Sequence, residues 1–195
     1  LICGVLIALH WITFFYASKI SNVSITVSMM SSAAFLTVLI KSLFFRKKFL
    51  LYEFILGVLS LIGISIIFSA EIQYINGLVV ALISAILVSV FTLLNSTIVV
   101  NNSSITISFY ELLIGFIFSI FYYYLFFEKP LFSIKLDYRD LILLLILGII
   151  CTSYAFTKSV DLIKYLKPFT IMMIINMEPV YAILISLLIF GESEF

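Results

Sequence analysis

Seven apolar runs, at 1–18, 23–45, 50–69, 77–99, 105–127, 139–157 and 168–190, occupy most of the 195 residues. Each approaches or exceeds the roughly 20 residues an α-helix needs to cross the hydrocarbon core of a bilayer. In hydrocarbon every backbone N–H and C=O must find its partner within the protein, so runs of this length become helices. The fold class that follows is all-α, a polytopic membrane helix bundle. The breaks between runs are too short to hold a soluble domain, which places any chemistry inside the bundle.

Charge supports the same reading: only 11% of residues are charged, and eleven basic against ten acidic side chains give a net +1. Nothing in that balance attracts nucleic acid, and the first partner to expect is the lipid bilayer. Cys3 and Cys151 both fall inside apolar runs, where a thiol fills space, and one His offers no set of metal ligands. No cofactor, metal or disulfide is therefore expected. The chain opens on Leu1 within an apolar run and closes on Phe195 just past another, which predicts a segment of a longer protein.

Alternate breaks fall on opposite sides of the membrane, and the basic ones face the cytoplasm. Lys41, Arg46, Lys47, Lys48, Lys158, Lys164 and Lys167 share one side, while Lys19, Lys129, Lys135 and Arg139 share the other with six of the ten acids. The loops at 46–48 and 158–167 are accordingly assigned to the cytoplasm. Lys41 and Lys158, near the ends of their spans, are expected to snorkel their ammonium groups out to the interface.

A carboxylate near the bilayer midplane costs about 2.5–3.5 kcal/mol on insertion scales, so acids inside the spans need a reason. Glu178 is central in the last run, next to Asn176 and followed by Pro179, whose ring and missing N–H interrupt the helix. Two readings stand for it: a kink whose carboxylate pairs with a neighbouring helix, or a substrate or proton site. Glu111 is a third of the way into the fifth run and is expected within reach of the cytoplasmic interface. His10 lies mid-span with Trp11, Phe14 and Phe15 around it, as a packing residue or as a proton partner of Glu178. Glu178, His10 and Glu111 are thus the proton-coupling candidates.

Two stripes of small residues mark helix contacts. Ser24, Ser28 and Ser31 share one face of the second run, and Ala81, Ala85 and Ser89 share one face of the fourth, where backbones can approach closely. Packing is the first reading for both and cavity lining the second. A shift of 145 residues lays Leu39, Ile40, Leu43 and Phe45 on Leu184, Ile185, Leu188 and Phe190, and Ser31–Ala34 on Asn176–Pro179. Spans two and seven are an odd number apart, so this repeat would be inverted in the membrane, as in many secondary transporters.

The segments GVLIALHWITFFYAS at 4–18, SNVSITVSMMSSAAF at 21–35, YEFILGVLSLIGISIIF at 52–68 and INMEPVYAILISLLIFGESE at 175–194 resemble the EamA-like transporters of the drug/metabolite transporter superfamily, bacterial members in particular. The Glu-Pro pair followed by a Gly-Glu turn is the most specific match. The resemblance implies a ten-helix protein of two inverted five-helix repeats, of which this chain holds seven spans, the third to the ninth. Residues 1–69 would then be the later part of the first repeat, and 77–195 the second repeat without its last span. The family's cavity-lining helices point to His10, Trp11, Phe14, Ser28, Ser31, Asn95, Tyr154, Asn176 and Glu178 as substrate-binding candidates. One departure is Ala34 and Arg46-Lys47-Lys48, where family members often carry a Pro and a later Glu, so no role carries over from those positions.

The function implied is a secondary transporter of small organic metabolites, such as amino acids, working by alternating access in a bacterial inner membrane. It is not expected to be an enzyme: no convergent nucleophile, base and anion-binding group is present, and no catalytic residue is assigned. Its partners would be a small-molecule substrate and lipid, with a homodimer left open. The alternative is a non-transporting multi-pass protein, receptor-like or structural. An opsin-like receptor is disfavoured because 168–190 contains no Lys to carry retinal.

Overall fold

The computed structural model describes residues 1–45, 50–70, 74–127, 137–178, 180 and 181. Every regular element among them is helical: α1 (Ile2–Ile20), α2 (Val23–Met30), α3 (Ser32–Phe45), α4 (Leu51–Ala70), α5 (Ile75–Ile98), α6 (Ser104–Phe126), α7 (Tyr138–Ile146), α8 (Ala155–Leu162) and α9 (Pro168–Ile175). A π-helical stretch, Leu147–Tyr154, joins α7 to α8 without interruption. Five stretches, Ile2–Ile20, Ile25–Phe44, Ile75–Asn101, Ser104–Phe126 and Tyr138–Leu162, are long and apolar enough to cross a membrane. The protein is an all-α membrane helix bundle. The loop 46–48, Pro179 and the segment carrying Leu184, Ile185, Leu188, Phe190 and the Gly-Glu turn lie outside the described residues.

Short polar residues start the helices. The Asn22 side chain accepts from the N–H of Ile25 at 2.8 Å to cap α2. Asp137 and Asp140 form a capping box at α7, and Pro168 occupies the first turn of α9, where its missing N–H costs nothing.

Helix α5 is the hub, packing on α1, α2, α3 and α9. Its buried side, Leu78, Ala81, Ser84, Ala85, Ser89, Thr92 and Asn95, recurs every three or four residues and consists mostly of small side chains. Lipid tails are as apolar as leucine, so helices in a membrane gain by close approach and interhelical hydrogen bonds rather than by expelling water. Ser89 shows both, its hydroxyl lying 2.7 Å from the carbonyl of Ala85 in its own helix and 3.0 Å from that of Ala33 in α3. The Ala81, Ala85 and Ser89 stripe is therefore a packing face. A larger apolar cluster gathers Ala33, Ala34 and Val38 of α3 with Ala85, Val160, Phe169 and Met172.

Two helices depart from the continuous spans expected from the sequence. The second run divides at Ser31, whose N–H bonds to the carbonyl of Ser28 at 3.1 Å in a tightened turn. The last run breaks at Asn176 and Met177, where the N–H of Met177 bonds back to Ile174 at 3.0 Å before helical structure resumes. The sixth run also continues as helix to Leu162 rather than stopping at 157. Its last turns bury Val160 while Asp161 and Lys164 pair at 3.3 Å, so an amphipathic end extends the apolar span.

Candidate functional site

The polar side chains that the sequence singles out fall into separate groups. His10 of α1 is buried against α5, with Nδ1 2.8 Å from Ser84 Oγ and 3.0 Å from the Ser84 carbonyl. Ser84 Oγ donates to the carbonyl of His10 at 2.9 Å. A carbonyl only accepts, so the proton of a neutral ring sits on Nδ1. His10 and Ser84 thus clasp two helices, the arrangement a packing histidine makes.

The second group lies where the two broken helices meet. The Asn176 amide donates to the carbonyl of Ser31 at 3.2 Å, joining the interruption in the α9 span to the interruption between α2 and α3. These residues are 145 apart, the offset of the repeat expected from the sequence. A helix break exposes backbone groups that hydrocarbon cannot satisfy, and a side-chain amide is a means of satisfying one of them. Ser28 is half-buried one turn before this joint, and Glu178 is exposed just beyond it.

The third group joins α1, α5 and α6. Glu111 is buried, and it stands beside Cys3 and Asn95. Helix α1 crosses α6 so closely here that only glycine fits at position 4, next to Ile114 and the Glu111 carbonyl. Among the described residues, one Glu111 carboxylate oxygen, both polar atoms of Asn95 and the Ser108 hydroxyl have no hydrogen-bond partner. Groups left in that state carry a large desolvation cost and invite a ligand.

The remaining candidates are aromatic. Trp11 meets Phe156 edge-on at 6.0 Å between ring centroids, Phe156 also packs on Phe91, and Phe14 lies 6.2 Å from the His10 ring. Tyr154 ends the π-helical stretch, 63% exposed, with Lys158 Nζ 5.8 Å from its ring centre, and is not brought to the other candidates.

One ionic feature escapes the sequence reading. Lys41 is paired: its ammonium bonds to Glu53 of α4 at 2.8 Å, and the Glu53 side chain is only 1% exposed. Lys41 precedes the 46–49 break and Glu53 follows it by a similar number of residues, so an antiparallel hairpin sets them at one depth. Ser104 contacts Asp161, Lys164 bonds to Ser104 at 3.0 Å, and Lys167 bonds to the Tyr52 hydroxyl at 3.2 Å. These contacts bring the start of α4, the start of α6 and the α8–α9 turn to the same end of the bundle.

Among the described residues no three His, Cys, Asp or Glu side chains gather as metal ligands. The model of the EamA-like transporter family matches residues 75–193. No curated protein and no solved structure matches the chain.

Proposed function

We propose that this chain, which belongs to the EamA-like transporter family, forms the core of a secondary carrier that moves small organic metabolites across the membrane by alternating access. The observation that supports the mechanism is the Ser31–Asn176 joint, where two interrupted helices meet through one hydrogen bond, at positions that the expected inverted repeat would make equivalent. Discontinuous helices at a repeat interface are the usual place for a carrier's binding site, because only there does free backbone and polar side-chain chemistry survive at membrane depth. Ser28, Ser31, Asn176 and Glu178 would contact the solute. Coupling to protons would use Glu178 or Glu111. His10 serves less well, since Nδ1 is engaged with Ser84. The excess of basic residues at 41–48 and 158–167 supports a cytoplasmic position for that end, in a bacterial inner membrane.

Reconstitution of the full-length protein into proteoliposomes tests this reading with a panel of labelled amino acids, sugars and nucleosides. Saturable movement of at least one solute is expected, and Asn176→Leu should slow it roughly tenfold, the scale of one lost hydrogen bond of about 1.4 kcal/mol in the moving step. A panel without movement or binding would overturn the proposal.

A further inference from the structure

Two closures stand between the Ser31–Asn176 joint and the basic end of the bundle. Helix α3 runs ten residues from Ser31 to Lys41, and α9 runs nine from Asn176 back to Lys167, about 14 Å of helix in each case. The closure nearer the joint is apolar: Ala33, Ala34 and Val38 of α3 are buried in one cluster with Phe169, Ile171 and Met172 of α9. Thr37 beside them turns its hydroxyl onto the Ala33 carbonyl at 2.7 Å, so it offers water no free donor. Along α9 this burial is one-sided, since Phe169 is 3% exposed whereas Met177, past the joint, is 44% exposed. The closure farther out is polar. Tyr52, at the start of α4, meets the Phe169 ring edge-on, and its hydroxyl accepts from Lys167 at 3.2 Å. The Lys167 ammonium also lies 5.7 Å from the Tyr52 ring centre.

We infer that these two layers are a gate, closed in this structure, which shuts the joint off from the basic end and opens along the seam between Tyr52 and the start of α9. The inference rests on the carrier reading, for which it names the contact that must part. The Lys41–Glu53 pair is not the seam. Both of its charges belong to the α3–α4 hairpin, and pulling them apart would strand each in a buried place. The Tyr52–Lys167 bond is exposed, so water replaces it at little cost when it breaks. Helix α3 is also held to α5, because the Ser89 hydroxyl bonds to the Ala33 carbonyl at 3.0 Å. The start of α9 is then the element that swings, with the Asn176 bond to Ser31 at its pivot. Phe169 and Met172 leave the apolar layer with it and open the way to the joint.

A cysteine-free version of the full-length protein carrying Tyr52→Cys and Lys167→Cys, bridged by a reducible bis-thiol linker in proteoliposomes, tests the gate. Solute counterflow should fall roughly tenfold or more on bridging, since one of two conformations is then locked, and return on reduction. The same linker between Lys41→Cys and Glu53→Cys should leave counterflow unchanged. A second readout needs no transport: Val38 is 2% exposed, so the reaction of Val38→Cys with a membrane-impermeant maleimide at the basic end reports opening. Tyr52→Phe keeps the ring and removes the hydroxyl, and should speed that reaction roughly threefold, the scale of one exposed hydrogen bond. Closing the 52–167 bridge should slow it roughly tenfold or more. Full counterflow in the bridged 52–167 protein, counterflow stopped equally by the 41–53 bridge, or a Val38→Cys reaction that ignores both Tyr52→Phe and the bridge would overturn the inference. Labelling that follows the bridge while no solute moves would count against the carrier alone, and solute movement that ignores the bridge against the gate alone.

Discussion

Lys41→Ala is expected to destabilise the folded protein by about 3–5 kcal/mol, the cost of stranding a buried carboxylate. The Glu53 side chain is 1% exposed and its Oε2 rests on the Lys41 ammonium at 2.8 Å. The Tyr52 hydroxyl, 3.5 Å from the other carboxylate oxygen of Glu53, is too distant to replace a charge-assisted bond. Lys41→Met with Glu53→Leu should recover most of the loss, because removing both charges removes the desolvation cost together with the attraction. Unfolding of the single and double variants in mixed micelles checks this. A single variant as stable as the parent would show that the pair contributes little. A double variant as unstable as the single would place the effect in packing rather than charge.

Gly4→Val should destabilise by about 3 kcal/mol, at the upper end of the usual cost of overpacking. A Cβ at position 4 would stand 2.8 Å from the Glu111 carbonyl oxygen and 2.7 Å from Ile114 Cβ, and a carbonyl fixed in a helix cannot swing aside. Helix α1 would have to move off α6, whose Gly115 faces the Gly4 carbonyl with room for little more than a hydrogen. Gly63→Ala is the internal comparison. Among the described residues nothing lies within 4 Å of a Cβ placed there, so the change should be neutral or stabilise by up to about 1 kcal/mol through helix propensity. Equal behaviour of the two variants would contradict the close α1–α6 crossing.

The spans were legible because membrane thickness demands long apolar runs, and the limits of α1, α5 and α6 fall within a few residues of the expected ones. The division at Ser31 was not legible from local sequence, since no proline or glycine stands there. Its only trace was the 145-residue alignment with Asn176, and the bond between those two residues depends on tertiary placement. Pairings across helices were the hardest to anticipate. His10 with Ser84, and Glu111 with Asn95 and Cys3, involve residues on different helices, and spacing along one helix says which face a side chain is on but not what faces it. Lys41 with Glu53 was within reach of the sequence, because both count nearly the same distance from one short break. The expectation of snorkelling treated each lysine alone and overlooked the partner.

The central claim is that two interrupted helices meeting at Ser31 and Asn176 serve a carrier rather than a fixed bundle. Counterflow tests it most directly: proteoliposomes bearing the full-length protein are loaded with an excess of one unlabelled solute and then given a trace of the same solute labelled outside. A carrier with alternating access predicts transient accumulation of label above its equilibrium level, reduced in Asn176→Leu. Entry that rises to equilibrium without overshoot and without saturation, for every solute that enters, would contradict the account.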